Sequence, residues 1–120
     1  MPGVGRTSII ESQPMEPAAF PMVQQIEDLL NAPAPTLAHV EDTLTEGYAT
    51  ALALEAERIR LQRRLDEVAR SATGEQADEL RSLGSRLTSA DGELERLRSV
   101  LSSLYDRARL MRAAATAASA

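Results

Sequence analysis

His39 is the single histidine of this 120-residue chain, and its imidazole could bind a metal or move a proton. Asp42 and Glu46 follow it at helical spacing, so the three side chains would lie near one another. A helical di-metal site, however, needs a Glu-x-x-His pair on each of two helices. Thr36 stands where that glutamate would be, and the chain has no second histidine and no cysteine. We interpret His39 as a solvated residue near a helix start, and we expect neither a metal nor a cofactor.

A run of arginines is the second group with possible chemistry, because guanidinium groups bind phosphates. Arg60, Arg63 and Arg64 share one face if this segment is helical. Glutamates and aspartates flank them, and no aromatic side chain lies between them to stack on bases. The net charge is also -5, whereas nucleic-acid binding needs a concentrated positive surface. We interpret the run as a salt-bridged surface. Nucleic-acid binding through these three arginines is the alternative function.

Motifs for catalysis are absent from the sequence. It contains no Gly-rich phosphate loop, no Gly-x-Ser-x-Gly elbow and no Cys/His spacing for zinc. Adjacent carboxylates such as Glu41 and Asp42 are typical of a solvated helix surface. No apolar run approaches the roughly 20 residues that a membrane helix needs. We expect a non-enzymatic cytoplasmic protein with no membrane segment and no small-molecule substrate.

The composition predicts an all-α fold. Hydrophobic residues make up 43% of the chain but aromatic residues only 2%, so leucine and alanine must form most of the core. That balance favours helices packed on helices, since strands are enriched in aromatic and β-branched residues. All six prolines precede Thr36, which leaves the rest of the chain free to form long helices.

The positions of the prolines and glycines divide the chain into segments. Residues 1–20 lack any sustained hydrophobic period, which predicts a disordered tail. Apolar residues at helical spacing predict a short amphipathic helix over 21–31. A coiled-coil helical hairpin is expected over 36–113, with Thr36 as its N-cap and a turn near 71–75, where Gly74 is the candidate left-handed residue. The alanine-rich segment 114–120 is expected to be a frayed end.

Heptad spacing in the two long segments predicts how they pair. Leucines and alanines recur at alternating three- and four-residue intervals, which is typical of a left-handed coiled coil. In an antiparallel hairpin Leu54 would face Leu94, and two weak positions would meet suitable partners, with Gly47 opposite Leu101. Arg58 would similarly fall opposite Ala90. A parallel dimer through the second long helix alone is the competing arrangement.

An apolar flank beside this seam is the main indication of function. Tyr48, Leu52 and Ile59 lie off the seam of the first long helix, and the predicted register brings Val100 and Tyr105 of the second near Tyr48 and Leu52. Either the 21–31 helix covers this flank or a partner does. We therefore predict a coiled-coil interaction or scaffold protein that binds a protein partner or self-associates as a homodimer, with these five residues as partner-binding candidates.

Overall fold

A computed structural model describes residues 19–71 and 74–119, which form three α-helices and one 3-10 turn. Helix α1 spans Ala19–Leu30, α2 spans Leu37–Arg70 and α3 spans Ala77–Ser119, with the 3-10 turn over Gly74–Gln76 before α3. No strand occurs in the described ranges. The predicted all-α hairpin with a short N-terminal amphipathic helix is confirmed. The tail predicted over residues 1–20 lies outside the described ranges up to residue 18.

Helix α1 begins at Ala19, two residues before the predicted start at Pro21. Proline is tolerated there because the first backbone N–H groups of a helix have no carbonyl partner within the helix. Ala19 is also buried, so the first turn contributes to the core. At the other end of α1, the guanidinium of Arg107 in α3 donates a hydrogen bond of 3.0 Å to the carbonyl oxygen of Leu30. A side chain of α3 thus satisfies one of the free carbonyls of α1.

Helix α2 begins and ends where the sequence predicted. The Thr36 hydroxyl oxygen accepts a hydrogen bond of 3.1 Å from the backbone N–H of His39, which confirms the predicted N-cap. At the C-terminus, the backbone N–H of Ser71 donates to the carbonyl oxygen of Glu67. The helix has 34 residues, long enough to carry the predicted seam along its whole length.

The predicted backbone geometry at Gly74 is wrong. No glycine in the described ranges has a positive φ, and Gly74 instead starts the 3-10 turn that leads into α3. Because a 3-10 turn uses ordinary right-handed angles, no left-handed residue is needed at this position. Helix α3 also continues to Ser119, beyond the predicted hairpin end at residue 113. Its last residues are mostly alanine, which has the highest helix propensity.

Helices α2 and α3 run antiparallel along the whole length of α2. Arg64 of α2 pairs with Glu79 near the turn at 2.7 Å, and Arg112 of α3 pairs with Glu41 at the far end at 2.8 Å. A Cβ atom built on Gly47 would lie 2.5 Å from a methyl carbon of Leu101. This contact confirms the predicted register.

The core has two unequal parts. In the half of the hairpin far from the turn, α1 packs on both long helices and makes a three-helix core. Its buried members are Ala19, Met22, Val23, Ile26 and Leu29 from α1, Val40, Leu44, Ala51 and Leu54 from α2, and Leu94, Leu97, Leu101, Leu104 and Ala108 from α3. In the half near the turn, two helices alone bury the smaller set Leu61, Val68, Leu83 and Ala90.

Gly47 and Gly92 both lie inside long helices, but their surroundings differ, so substitutions at these two positions test how closely the three helices approach one another at Gly47. A Cβ on Gly92 would meet nothing within 4 Å, whereas a Cβ on Gly47 would collide with Leu101. We expect Gly92→Ala to raise the free energy of unfolding by about 1 kcal/mol through helix propensity. For Gly47→Ala we expect a free energy of unfolding at least about 1 kcal/mol lower than that of Gly92→Ala, because overpacking against Leu101 offsets the same gain in helix propensity.

Urea unfolding followed by circular dichroism measures both variants against the parent chain. An equal stabilisation by the two substitutions would contradict the close contact between Gly47 and Leu101.

Candidate functional site

Helix α1 covers one flank of the hairpin. Glu27 of α1 pairs with Arg96 of α3 at 3.3 Å, and Arg107 of α3 reaches the C-terminal end of α1. Val100 is one helical turn after Arg96 and two turns before Arg107, so it lies on the same face of α3. It is half-buried and packs against the three-helix core. The residue predicted to join the partner-binding flank is therefore on the side that α1 occupies.

The opposite flank of the hairpin remains uncovered by any described residue. Here α2 and α3 enclose an open groove of about 530 Å³, which is lined by Tyr48, Ala51, Leu52, Glu55, Arg98, Leu101, Ser102 and Tyr105. Its large apolar side chains are well exposed: 46% of Tyr48, 67% of Leu52 and 45% of Tyr105. We call the four exposed residues Tyr48, Leu52, Ile59 and Tyr105 the open flank.

Ion pairs close the groove at its end nearer the turn. Arg98 pairs with Glu55 across the two helices, and one turn further on Arg58 pairs with Asp91. Ile59 lies beside these charges in a second hollow of about 550 Å³, with 48% of its surface exposed. The open flank is thus apolar at its tyrosine end and charged at its Ile59 end, which gives it a direction along the hairpin.

The structure groups four of the five predicted partner-binding residues on the open flank and separates Val100 from them. Ala51 and Leu101 form the floor of the groove, although neither was a candidate. Both are buried seam residues, so heptad position assigned them to the hairpin core alone. Their neighbours Tyr48 and Tyr105 could have indicated this second role, because each stands three or four residues away on the same helical face.

Two of the three candidate nucleic-acid arginines are engaged with carboxylates. The guanidinium of Arg60 donates two hydrogen bonds, of 2.8 and 3.1 Å, to one oxygen of Glu57. Arg64 pairs with Glu79 at 2.7 Å and lies 3.8 Å from Glu67. Arg63 is exposed between them. Acidic partners therefore offset most of the positive charge on this segment.

His39 contributes to structure through its backbone, which donates the capping hydrogen bond to Thr36. Its side chain is near a shallow hollow at the start of α2 that Asp42 and Glu46 also line. Within residues 19–71 and 74–119, no group of three or more histidine, aspartate or glutamate side chains is placed to hold a metal ion.

No protein-family model, curated protein or solved structure matches this chain. Among the described helices, none has an apolar stretch sufficient to span a bilayer. Of the six large hydrophobic residues that are exposed in the described ranges, four belong to the open flank.

A salt titration with duplex DNA tests the arginine segment. Because Glu57 and Glu79 neutralise Arg60 and Arg64, we expect no retention of labelled duplex on a filter even at low salt. The double variant Glu57→Gln and Glu79→Gln removes both acidic partners and serves as the matched comparison. Retention of duplex by the parent chain that falls steeply as salt rises would instead support the alternative function.

Proposed function

We propose that this protein is a non-enzymatic interaction protein that binds a helical segment of a protein through the open flank. The proposal is based on the exposure of Tyr48, Leu52 and Tyr105 around one groove. Isolated exposed apolar residues are common, but a grouped set around a concave surface is typical of a binding site. Tyrosine is also enriched at interfaces, since its ring buries apolar area while its hydroxyl stays hydrated.

The covered flank supports a helix as the ligand. There, α1 inserts Met22, Val23 and Ile26 between the same two long helices, and all three side chains are buried. The open flank offers a similar groove between α2 and α3, with Leu101 on its floor. An amphipathic helix with apolar residues at three- and four-residue spacing fits such a groove, as in helix-in-groove recognition.

The size of the groove is in keeping with modest affinity. Full burial of a side chain such as Leu52 contributes about 1.5–3 kcal/mol, and association must first overcome lost translational and rotational freedom. Three or four such side chains can support a reversible complex. The proposal includes the cytoplasmic location and the absence of catalysis that the sequence predicted.

A matched pair of leucines tests the proposal. Leu52 and Leu110 are both 67% exposed, but only Leu52 lines the groove. We expect a photo-crosslinking amino acid at position 52 to give a discrete covalent adduct in the cells that produce the protein. The same label at position 110 should give none, because that side chain does not line the groove. Adducts are separated by denaturing electrophoresis and identified by mass spectrometry.

Equal yields of adduct from positions 52 and 110, or no adduct from either, would contradict the proposal. The mass of a discrete adduct at position 52 also identifies the ligand class, since a second copy of this chain adds 13.0 kDa.

A further inference from the structure

Helix α2 carries a second heptad seam on its exposed side. The residues of this outer seam follow one another at alternating intervals of four and three: Thr45, Ala49, Leu52, Ala56, Ile59 and Arg63. All six are exposed, although alternation of this kind is typical of a face that packs against another helix. Leu52 and Ile59 also belong to the open flank, so the outer seam is its edge on α2. A solvated helix face would not require large and small apolar residues in this order.

The apolar members of the outer seam alternate in size, from Ala49 and Leu52 to Ala56 and Ile59. When a second α2 runs antiparallel, one register places Ala49 opposite Ile59 and Leu52 opposite Ala56. Each layer then joins a small side chain to a large one. A shift by one heptad in either direction would place at least one of the large side chains opposite a charged residue or opposite a residue outside the outer seam. Pairing of this kind is self-complementary, as an interface with two-fold symmetry requires.

Charges beside the outer seam agree with the same register. Glu46 of one copy would lie near Arg60 of the other, twice by symmetry, and both residues are exposed. Within each copy Glu46 accepts a hydrogen bond from Gln25 and Arg60 pairs with Glu57, so these contacts between copies would add to existing ones. Ala53 would approach its own symmetry mate, and its small side chain permits close packing of the helices. Glu55 would also approach its mate on the groove side. There the ion pair with Arg98 within each copy offsets the repulsion.

We infer that the helix bound at the open flank is α2 of a second copy of this chain, packed antiparallel along the outer seam about a two-fold axis that passes between Ala53 and Glu55. The inference rests on the proposed function and assigns the helix that covers the α2 side of the open flank, at Leu52 and Ile59. It predicts a homodimer in which Leu52 and Ile59 become buried, while α1 stays on the opposite flank of each hairpin.

Single-cysteine crosslinking tests this geometry, because the natural chain has no cysteine. In the antiparallel dimer, Ala53→Cys brings two thiols face to face across the axis. Ala49→Cys is the matched control. In the dimer the two cysteines at position 49 would lie ten residues apart along the helices, about 15 Å at 1.5 Å per residue. A short bismaleimide should therefore link the first variant into a covalent dimer and leave the second as a monomer.

Sedimentation equilibrium supplies the second measurement on the full chain. We expect a mass of twice 13.0 kDa for the parent and for Leu110→Glu, and a shift toward the monomer mass for Leu52→Glu. Circular dichroism checks that each variant is folded, which the exposure of both leucines favours.

Efficient crosslinking of both cysteine variants would indicate parallel helices and would overturn the inference. A dimer in which Ala53→Cys does not crosslink would overturn it as well, since the interface would lie elsewhere. A parent chain that stays at 13.0 kDa at all concentrations would refute self-association. In that case, a discrete adduct of position 52 with a different protein would still support the proposed function.

Discussion

The absence of a side chain at Gly47 allows three helices to meet in one place. A Cβ there would lie 2.5 Å from Leu101 and 3.4 Å from a methyl carbon of Ile26, so α1, α2 and α3 all approach this one backbone position. Leu101 and Ile26 are both almost fully buried as a result. The glycine weakens the helix locally, but it permits the close approach of Leu101 and Ile26 to the backbone of α2.

That junction makes the hairpin asymmetric. Once α1 occupies one flank, its apolar face is used there and is not available for the other. The described protein is 69 Å long but only 18 Å across in its thinnest direction, about two helix diameters of roughly 10 Å. The open flank therefore keeps Tyr48, Leu52 and Tyr105 in water. Half of the hairpin is a closed three-helix core, and the apolar groove on its other side is the basis of the function that we propose.

Leucine spacing was sufficient to predict the hairpin and its register, because a period of 3.5 residues determines which side chains face each other. The Gly47 and Leu101 pair followed from that register. The position of Val100 did not follow from it, since heptad spacing does not indicate which flank α1 covers; the contacts of α1 with Arg96 and Arg107 on that flank lie outside the seam. The left-handed geometry predicted at Gly74 was wrong, because a short 3-10 turn needs no left-handed residue. Local pattern thus predicted pairing, whereas long-range contacts determined which surface stayed open.

A nuclear Overhauser measurement on selectively methyl-labelled protein can show which flank of the hairpin α1 covers. With α1 on the flank opposite the groove, we expect strong cross-peaks from the δ1 methyl group of Ile26 to the α protons of Gly47 and the methyl groups of Leu101. We expect none from that methyl group to the rings of Tyr48 or Tyr105. Cross-peaks between Ile26 and either tyrosine ring would instead place α1 in the groove, and the open flank would then be covered.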